Sequence, residues 1–256
     1  LIPKAKTDSD DFTSVSDKID IVYEDENILL VDKPVGMVVH EDESGDSDTL
    51  INRIKSYLYH KGEYRPENEL SFAPALCNRI DRNTCGIVIA AKNAESLRIL
   101  NQKIRDRELT KLYLCIACGK VTPDSATLTA YLEKNSDTNT VKISDKKTKS
   151  NLTIKTKYKV IAYNGENSLL KVDLLTGRTH QIRAHLAYIG HALLGDGKYG
   201  NNKLNKKYGF KYQALCSYEL QFKFTTDAGC LSYLDGKCFK AKAPDFVKMF
   251  GGNIKL

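Results

Sequence analysis

Apolar runs typical of β-strands follow one another from residue 111 to residue 175, with no helical pattern between them. Parallel neighbours in a sheet need a long crossover connection, usually a helix, so consecutive strands without one are expected to pair antiparallel. The strand-like runs lie at 111–119, 127–132, 151–161 and 167–175. This pattern favours an α+β protein with a mixed, mainly antiparallel central sheet flanked by helices and loops, and disfavours a doubly wound sheet.

Further elements are predicted on either side of this region. Residues 19–34 contain two strand-like runs joined by a polar turn at 24–27. Additional strands are expected near 87–91, 214–223 and 230–234. Apolar residues at helical spacing predict helices over 49–59, 94–107 and 179–189. Asp48 is placed to cap the first helix, while Asn93 and Thr179 precede the other two.

The domain organisation follows from a change of composition near residue 19. Residues 1–18 are polar and acidic, which predicts a tail or linker. Residues 19–250 are expected to form one domain, because no linker or repeat interrupts them. The first residue is Leu and not Met, so we expect upstream residues in the natural protein.

Apolar composition and cysteine usage restrict the class of protein. No apolar run approaches the ~20 residues of a membrane span, and the N-terminus lacks a signal-peptide pattern, so we expect a cytoplasmic protein. Seven cysteines are scattered along the chain, without the density of a secreted disulfide scaffold. Cys115 and Cys118 form a lone CxxC in a strand-like run, so no metal is expected, since structural zinc needs about four ligands.

The net charge of +7 is unevenly distributed. Residues 142–159 contain seven lysines and one aspartate, and in residues 198–211 tyrosines and asparagines alternate with lysines. Two interpretations remain open from composition. These stretches form an ordinary solvated surface, or they form a phosphate-binding face with aromatic rings available for stacking.

Asp81 is the first candidate for chemistry, because it lies between Arg79 and Arg82 immediately before the apolar run 87–91. In an extended segment Arg79 and Asp81 point to the same side and Arg82 to the other. One interpretation is a structural ion pair beside a turn. The other is a carboxylate kept ionised by a nearby cation and able to attack an electrophilic carbon.

A second cationic element, TGRTHQIRAH, occupies residues 176–185. Arg178 precedes a helix whose N-terminal amides suit an anion. Arg183 is one residue, about 100°, beyond the apolar stripe, so we expect it at the rim of the core and partly solvated. His180 and His185 flank Arg183 without a nearby carboxylate in sequence. On its own the element also fits an ordinary basic amphipathic helix.

Several motifs in one order resemble the RluA-type family of RNA pseudouridine synthases. They are IVYEDENILLVDKPVGMVVH, NRIDRNTCG around Asp81, KLYLCIACG, TGRTHQIRAH, LLGDGKYG and QALCSYEL. The resemblance covers roughly residues 19–246, and the co-occurrence of ordered motifs makes it specific. Two departures occur: Asn78 replaces the family's usual histidine and Cys85 replaces a commoner serine. Neither change affects Asp81 or Arg79.

The resemblance implies an isomerase that breaks the N-glycosidic bond of a uridine and rejoins the base through carbon 5. It implies that Asp81 is the catalytic carboxylate, that Arg183 pairs with it, and that Tyr113 packs against the target base. It also implies that Arg79 occupies the space left by a flipped uridine. Arg82, Arg178, His180 and Lys198 are expected to contact RNA as well. The resemblance makes residues 19–250 the catalytic domain and implies a small RNA-binding domain upstream, absent from this chain. No cofactor and no metal are expected.

Ribosomal RNA of the large subunit is the expected partner of a monomeric enzyme, with transfer RNA as the alternative. A protein on this scaffold that binds RNA without catalysis is a second alternative, although intact Asp81, Tyr113 and Arg183 argue against it. A third is a metal-dependent phosphate-ester enzyme, which would need clustered carboxylates. The acidic stretch 41–48 is predicted to be a solvated loop and not such a cluster. No membrane association is expected.

Overall fold

The structure is a computed structural model that describes residues 15–41, 45–68, 72–251 and 254–256. In these residues eleven strands occur: β1 (Ile21–Glu24), β2 (Ile28–Lys33), β3 (Ala75–Leu76), β4 (Cys85–Ala91), β5 (Leu109–Cys118), β6 (Ser125–Asn135), β7 (Thr140–Ser144), β8 (Leu152–Tyr163), β9 (Asn167–Leu174), β10 (Leu215–Phe222) and β11 (Cys238–Lys240). The α-helices are α1 (Leu50–His60), α2 (Ala94–Arg105), α3 (Gln181–Tyr188) and α4 (Asn202–Lys207). Two 3₁₀ helices span Gly229–Leu234 and Asp245–Phe250.

The strands form one sheet in the order β1-β2-β4-β10-β5-β9-β8-β6-β7, with β3 added to β4 and β11 to β10. Each of these pairs is antiparallel except β10 with β4, which run parallel. The consecutive strands β5, β6, β7, β8 and β9 therefore pair as their missing helical connections predict. The mainly antiparallel sheet expected from the sequence is confirmed.

Strand β4 is held rigidly in the middle of the sheet. Its side chains alternate between two apolar cores, with Val88 in one and Ile89 in the other. At its start Gly86 has a φ of +107°, and a Cβ there would lie 2.2 Å from the carbonyl oxygen of Ser217 in β10. Glycine is therefore required for the two strands to meet at this point. The turn that precedes β4 is fixed in position as a result.

The predicted helix α1 is capped by a different residue from the one expected. Thr49, and not Asp48, is the N-cap, and its hydroxyl accepts a hydrogen bond from the backbone N–H of Asn52 at 3.3 Å. Asp48 instead forms an ion pair with Arg53 at 2.6 Å. Asn93 caps α2 through its side chain. A side-chain cap is effective only when the backbone turns at that residue, which sequence alone does not specify.

The prediction of a strand at 230–234 is wrong, because Gly229–Leu234 forms a 3₁₀ helix. Leu231 and Leu234 are buried three residues apart, which is the period of a 3₁₀ helix. Gly229 begins this turn with a φ of +49°, a left-handed conformation that a strand does not use. The short elements β7 and α4 were also not predicted: α4 lies inside the lysine-rich stretch 198–211, and β7 overlaps the start of the stretch 142–159.

Parts of two predicted segments lie outside the described residues, namely 1–14 of the polar tail and 42–44 of the acidic stretch. Residues 45–48 of the acidic stretch are exposed. In the portion of the chain that the structure covers, the helices are too short and too polar to cross a lipid bilayer.

Candidate active site

Asp81 lies in the turn between β3 and β4. The backbone N–H of Thr84 donates to the Asp81 carbonyl at 3.0 Å and closes this turn. The buried hydroxyl of Thr84 accepts a hydrogen bond from Gln213 Nε2 at 3.2 Å, which fastens the turn to the segment before β10. The Asp81 side chain keeps 29% of its surface exposed. Its carboxylate is therefore fixed in place and still reachable from outside.

Lys33, at the end of β2, supports the same turn from the other side. Its Nζ donates to the carbonyl oxygens of Pro34 and Met37 at 2.8 Å and of Arg82 at 3.0 Å. The lysine is wholly buried, and burial lowers its pKa to about 8. Sequence reasoning missed this residue. Its only sequence signal is a charged residue at the end of an apolar strand in the first motif.

Arg183 joins two carboxylates that are distant in sequence. Its Nη1 lies 2.7 Å from Asp81 Oδ2, while Nε and Nη2 lie 2.6 and 3.0 Å from the two carboxylate oxygens of Asp196. The expectation that Arg183 is partly solvated is wrong, because only 5% of its surface is exposed. The wholly buried Asp196 supplies a counter-charge that offsets the desolvation cost of burying the guanidinium.

Asp196 is the second functional residue that sequence reasoning did not identify, although its motif LLGDGKYG was noted. Besides the Arg183 guanidinium, its Oδ1 accepts the backbone N–H groups of Lys198 and Tyr199 at 2.8 and 3.0 Å. Burial acts to raise the pKa of Asp196, but the hydrogen bonds from Arg183 and from this backbone hold the pKa below its usual value. Asp196 is thus an ionised anchor for Arg183.

The first turn of α3 is fixed by Gln181, which was also not predicted. Its Nε2 donates to Thr156 Oγ1 of β8 at 3.0 Å. Its Oε1 accepts from the hydroxyl of Thr176 at 2.9 Å and from the backbone N–H of Arg178 at 3.1 Å. The helix begins at Gln181, two residues later than predicted, because His180 adopts a left-handed conformation with a φ of 52°.

His180 lies beside the Asp81–Arg183 pair. Its Nε2 is 3.8 Å from Asp81 Oδ2, and its Nδ1 is 2.8 Å from the hydroxyl oxygen of Tyr199. That oxygen also accepts the backbone N–H of Val141 in β7 at 2.9 Å. The ring of Tyr199 lies 5.3 Å from the guanidinium carbon of Arg183, within the range of a cation–π contact. Burial lowers the pKa of His180.

Tyr113 of β5 lies in the same core as the apolar face of α3 and is 6% exposed. It is the register partner of Ser217 in β10. Burial raises its pKa to about 12, so the phenol stays protonated at neutral pH. The negative charge of Asp81 acts in the same direction, which reflects the proximity of the two residues.

The remaining predicted RNA contacts differ from His180 because their side chains are exposed. These residues adjoin the buried centre along the chain and are Arg79, Arg82, Arg178 and Lys198. Lys198 Nζ donates to the carbonyl of Asn139 at 2.8 Å, which connects it to the tip of the β6–β7 hairpin. The structure therefore separates a compact buried centre from an exposed basic surround.

The cysteine pair at positions 115 and 118 does not form a metal site. Cys115 is buried, Cys118 is partly buried, and both thiols are free. Residues three apart on a strand point to opposite faces of the sheet, so the two sulfur atoms cannot share an ion. No cluster of three or more His, Cys, Asp or Glu side chains able to hold a metal ion occurs in the described residues.

The chemistry available at this centre is that of one reachable carboxylate. Asp81 is paired with a fixed cation through Oδ2, and the other nearby carboxylate, Asp196, is fully committed to Arg183 and to backbone N–H groups. Hydrolysis of a glycosidic bond usually needs a second free carboxylate to activate water. The geometry instead suits attack or charge stabilisation by one carboxylate.

Comparison with known proteins agrees with this geometry. The family model described as RNA pseudouridylate synthase matches residues 27–188. An uncharacterised RNA pseudouridine synthase of Mycoplasma genitalium is 39% identical over 216 residues, which span 81% of this chain and 64% of the relative. A protein of Borreliella burgdorferi named ribosomal large subunit pseudouridine synthase D is 34% identical over 183 residues, which span 71% of this chain and 55% of that protein.

Solved structures show the same fold. Human RNA pseudouridylate synthase domain containing 4 superposes with a TM-score of 0.70 over 90% of each chain at 18% identity. Human RNA pseudouridylate synthase domain containing 1 gives a TM-score of 0.68 at 20% identity, covering 91% of this chain and 86% of the other. Since the family model matches more than half of the sequence, the resemblance inferred from the motifs is confirmed, and the chain belongs to the RNA pseudouridylate synthase family.

Proposed function

We propose that this chain isomerises uridines in structured RNA to pseudouridine, with Asp81 as the catalytic carboxylate. The observation that carries the proposal is the Asp81–Arg183 ion pair of 2.7 Å, in which the carboxylate stays reachable while the guanidinium is buried. A fixed cation keeps the carboxylate ionised and oriented towards a substrate. Membership of the family supports the reaction class.

A single carboxylate is sufficient for this reaction. Breaking the N-glycosidic bond requires either a nucleophile or a negative charge beside a cationic sugar, and Asp81 can supply both. The base is then recaptured through carbon 5, so no water is activated and no second carboxylate is needed. The buried ring of Tyr113 provides a flat apolar surface for the base. The proposed reaction uses no metal and no cofactor.

RNA binding is assigned to the exposed cations around the centre. A uridine inside a helix has to be extruded before its glycosidic bond is reached, at a cost of a few kcal/mol. Arg79, two residues before Asp81, is proposed to occupy the vacated space, as the family resemblance implies. The exposed Arg82, Arg178 and Lys198 extend the positive surface, and contacts between such side chains and phosphates provide affinity without sequence information.

Large-subunit ribosomal RNA is the proposed substrate. The support is the Borreliella burgdorferi relative whose name specifies that RNA. The chain spans 64% and 55% of the length of the two relatives compared above. Transfer RNA is the alternative substrate.

The test is to map pseudouridines in total RNA from cells with and without the gene. We expect one or a few sites, in large-subunit ribosomal RNA, to be lost on deletion and restored by the wild-type gene. The gene carrying Asp81→Asn should not restore them. Loss of sites from transfer RNA alone would contradict the proposed substrate. Restoration by Asp81→Asn would contradict the proposed catalyst, and an unchanged map would contradict the proposed activity.

A further inference from the structure

His180 occupies a backbone position that disfavours it. Its φ of 52° and ψ of 18° lie in the left-handed region, which residues other than glycine seldom adopt. Only 7% of its side-chain surface is exposed. Glycine would adopt this conformation without strain, so the contacts of the imidazole must offset the cost. Those contacts are with Tyr199 on one side and Asp81 on the other.

The hydrogen bonds around Tyr199 determine where the imidazole proton lies. The N–H of Val141 can only donate, so the Tyr199 oxygen accepts that bond at 2.9 Å. The phenolic proton is then directed to His180 Nδ1, at 2.8 Å, and the hydrogen bonds of the described residues give it no other acceptor. With Nδ1 accepting from Tyr199, a neutral imidazole carries its proton on Nε2, which lies 3.8 Å from Asp81 Oδ2.

The surroundings of His180 favour the uncharged form. Burial has the largest effect on its pKa and lowers it, and the positive charges of Arg183 and Lys198 act in the same direction. The carboxylates of Asp81 and Asp196 act to raise the pKa, but the net change is downward. These groups come from each segment around the imidazole: the turn before β4, helix α3 and the loop after α3.

We propose that His180 is a positioning residue that remains uncharged, held in one tautomer by Tyr199, so that Arg183 is the only cation paired with Asp81. Arg183 contacts Oδ2 and leaves Oδ1 without a hydrogen bond from the described residues. Protonation of His180 would bring a second cation within 3.8 Å of the carboxylate. A second cationic partner stabilises the carboxylate and weakens it as a nucleophile. This inference rests on the proposed function for its effect on rate, but its structural part does not.

The structural part is tested by ¹⁵N NMR of the five histidines in the 256-residue chain. His180 is assigned by comparison with His180→Gln. Its Nδ1 should have the shift of an unprotonated nitrogen and its Nε2 that of a protonated one at about pH 7. In Tyr199→Phe the neutral imidazole of His180 loses the hydrogen bond from the Tyr199 hydroxyl. Loss of one such bond changes the protonation equilibrium constant about fivefold, so His180 should titrate at higher pH. The reverse tautomer, or titration unchanged in Tyr199→Phe, would overturn the proposal.

His185 is an internal control in the same spectra. It lies in α3, is 1% exposed and is bonded through Nδ1 to Thr156 at 3.0 Å. Burial lowers its pKa to about 4. Its signals should therefore remain those of a neutral imidazole between about pH 5 and pH 8 in both proteins. A shift of His185 in Tyr199→Phe would reveal general disruption of α3 rather than the specific effect proposed.

The effect on rate is tested by pH–rate profiles with [5-³H]uridine-labelled total RNA from cells lacking the gene, measured as tritium release. The acid limb of Tyr199→Phe should move to higher pH, so that on this limb it keeps about one fifth of the wild-type rate relative to its own plateau. In His180→Gln the limb should move to lower pH. Equal losses at every pH would show a purely structural role and overturn the proposal. Absence of tritium release from wild type would instead refute the proposed function, and the NMR result would still stand.

Discussion

Arg183 Nη1 lies 2.7 Å from Asp81 Oδ2 although 102 residues separate the two in sequence. The same guanidinium donates two further hydrogen bonds to the wholly buried Asp196, so Asp196 and not Asp81 fixes its position. Asp196 orients Arg183, and Arg183 orients Asp81. The position of Arg183 therefore does not depend on Asp81, the proposed catalytic carboxylate. The effect expected of each substitution below follows from this arrangement.

Replacing Asp81 with Asn removes the charge and keeps the shape of the side chain. Isomerisation should fall on the order of 10³-fold or more, because the group proposed to react is lost. RNA affinity should stay near that of wild type, since the exposed cations are unchanged. Tritium release and filter binding measure the two quantities. The matched control is Asp106→Asn at the exposed C-cap of α2, and near-normal turnover by Asp81→Asn would exclude the mechanism.

Replacing Arg183 with Lys keeps one positive charge but not the planar fork that reaches Asp81 and Asp196 together. We expect Arg183→Lys to lose most activity. Arg183→Met removes the charge as well and should lower the free energy of unfolding by about 3–5 kcal/mol, because a buried carboxylate is left without its partner. Urea unfolding gives the second quantity, with Arg98→Met on the exposed side of α2 as control. Equal stability of the two methionine variants would argue against the buried pair.

The buried carboxylate of Asp196 predicts a pH dependence of stability. Its pKa is lower in the folded state than the ordinary value of 3.8, so the stabilisation is complete above that value and is lost as the pH falls through the folded pKa. The difference in unfolding free energy between wild type and Asp196→Asn should thus be constant above about pH 5 and shrink below about pH 4. A difference that stayed constant into acid would show that Asp196 is not held ionised by Arg183.

Tyr113 should act through its ring and not through its hydroxyl. Its pKa of about 12 keeps the phenol protonated, and the side chain is buried within the core. Tyr113→Phe should therefore retain much more activity than Tyr113→Leu, which removes the flat surface for the base. Steady-state kinetics on the same labelled RNA compare the two variants. If Phe and Leu were equally inactive, the hydroxyl itself would have to take part in the reaction.

Metal removal should leave the activity unchanged. Cys115 and Cys118 lie on opposite faces of β5, and the described residues contain no cluster suited to a metal ion. Full turnover is expected in excess chelator, and elemental analysis should find no zinc with the purified protein. Stoichiometric zinc lost together with activity would contradict this expectation. Cys115→Ala with Cys118→Ala provides the control that no thiolate is required.

Some features of the site are visible in local sequence. Asp81 stands between two arginines before an apolar strand, and Arg183 stands in a motif at the start of a helix. The family resemblance added Tyr113, which position alone would assign to the core. Lys33, Gln181, Asp196 and Tyr199 were not identified, because each acts through partners far away in sequence. A local sequence pattern does not show which distant residues will become partners in the fold.

The sequence by itself determined the class of fold, the proposed reaction class and the cap of α2. Short alternating runs without helices between them require antiparallel pairing, and Asn93 with an apolar repeat behind it specifies a helix start. Only the tertiary structure decided that Arg183 is buried, that residues 229–234 form a 3₁₀ helix, and that His180 lies beside Asp81. Periodicity reports which face of an element is apolar. Burial of a charge depends on a counter-charge delivered by another part of the chain, and that pairing exists only once the chain has folded.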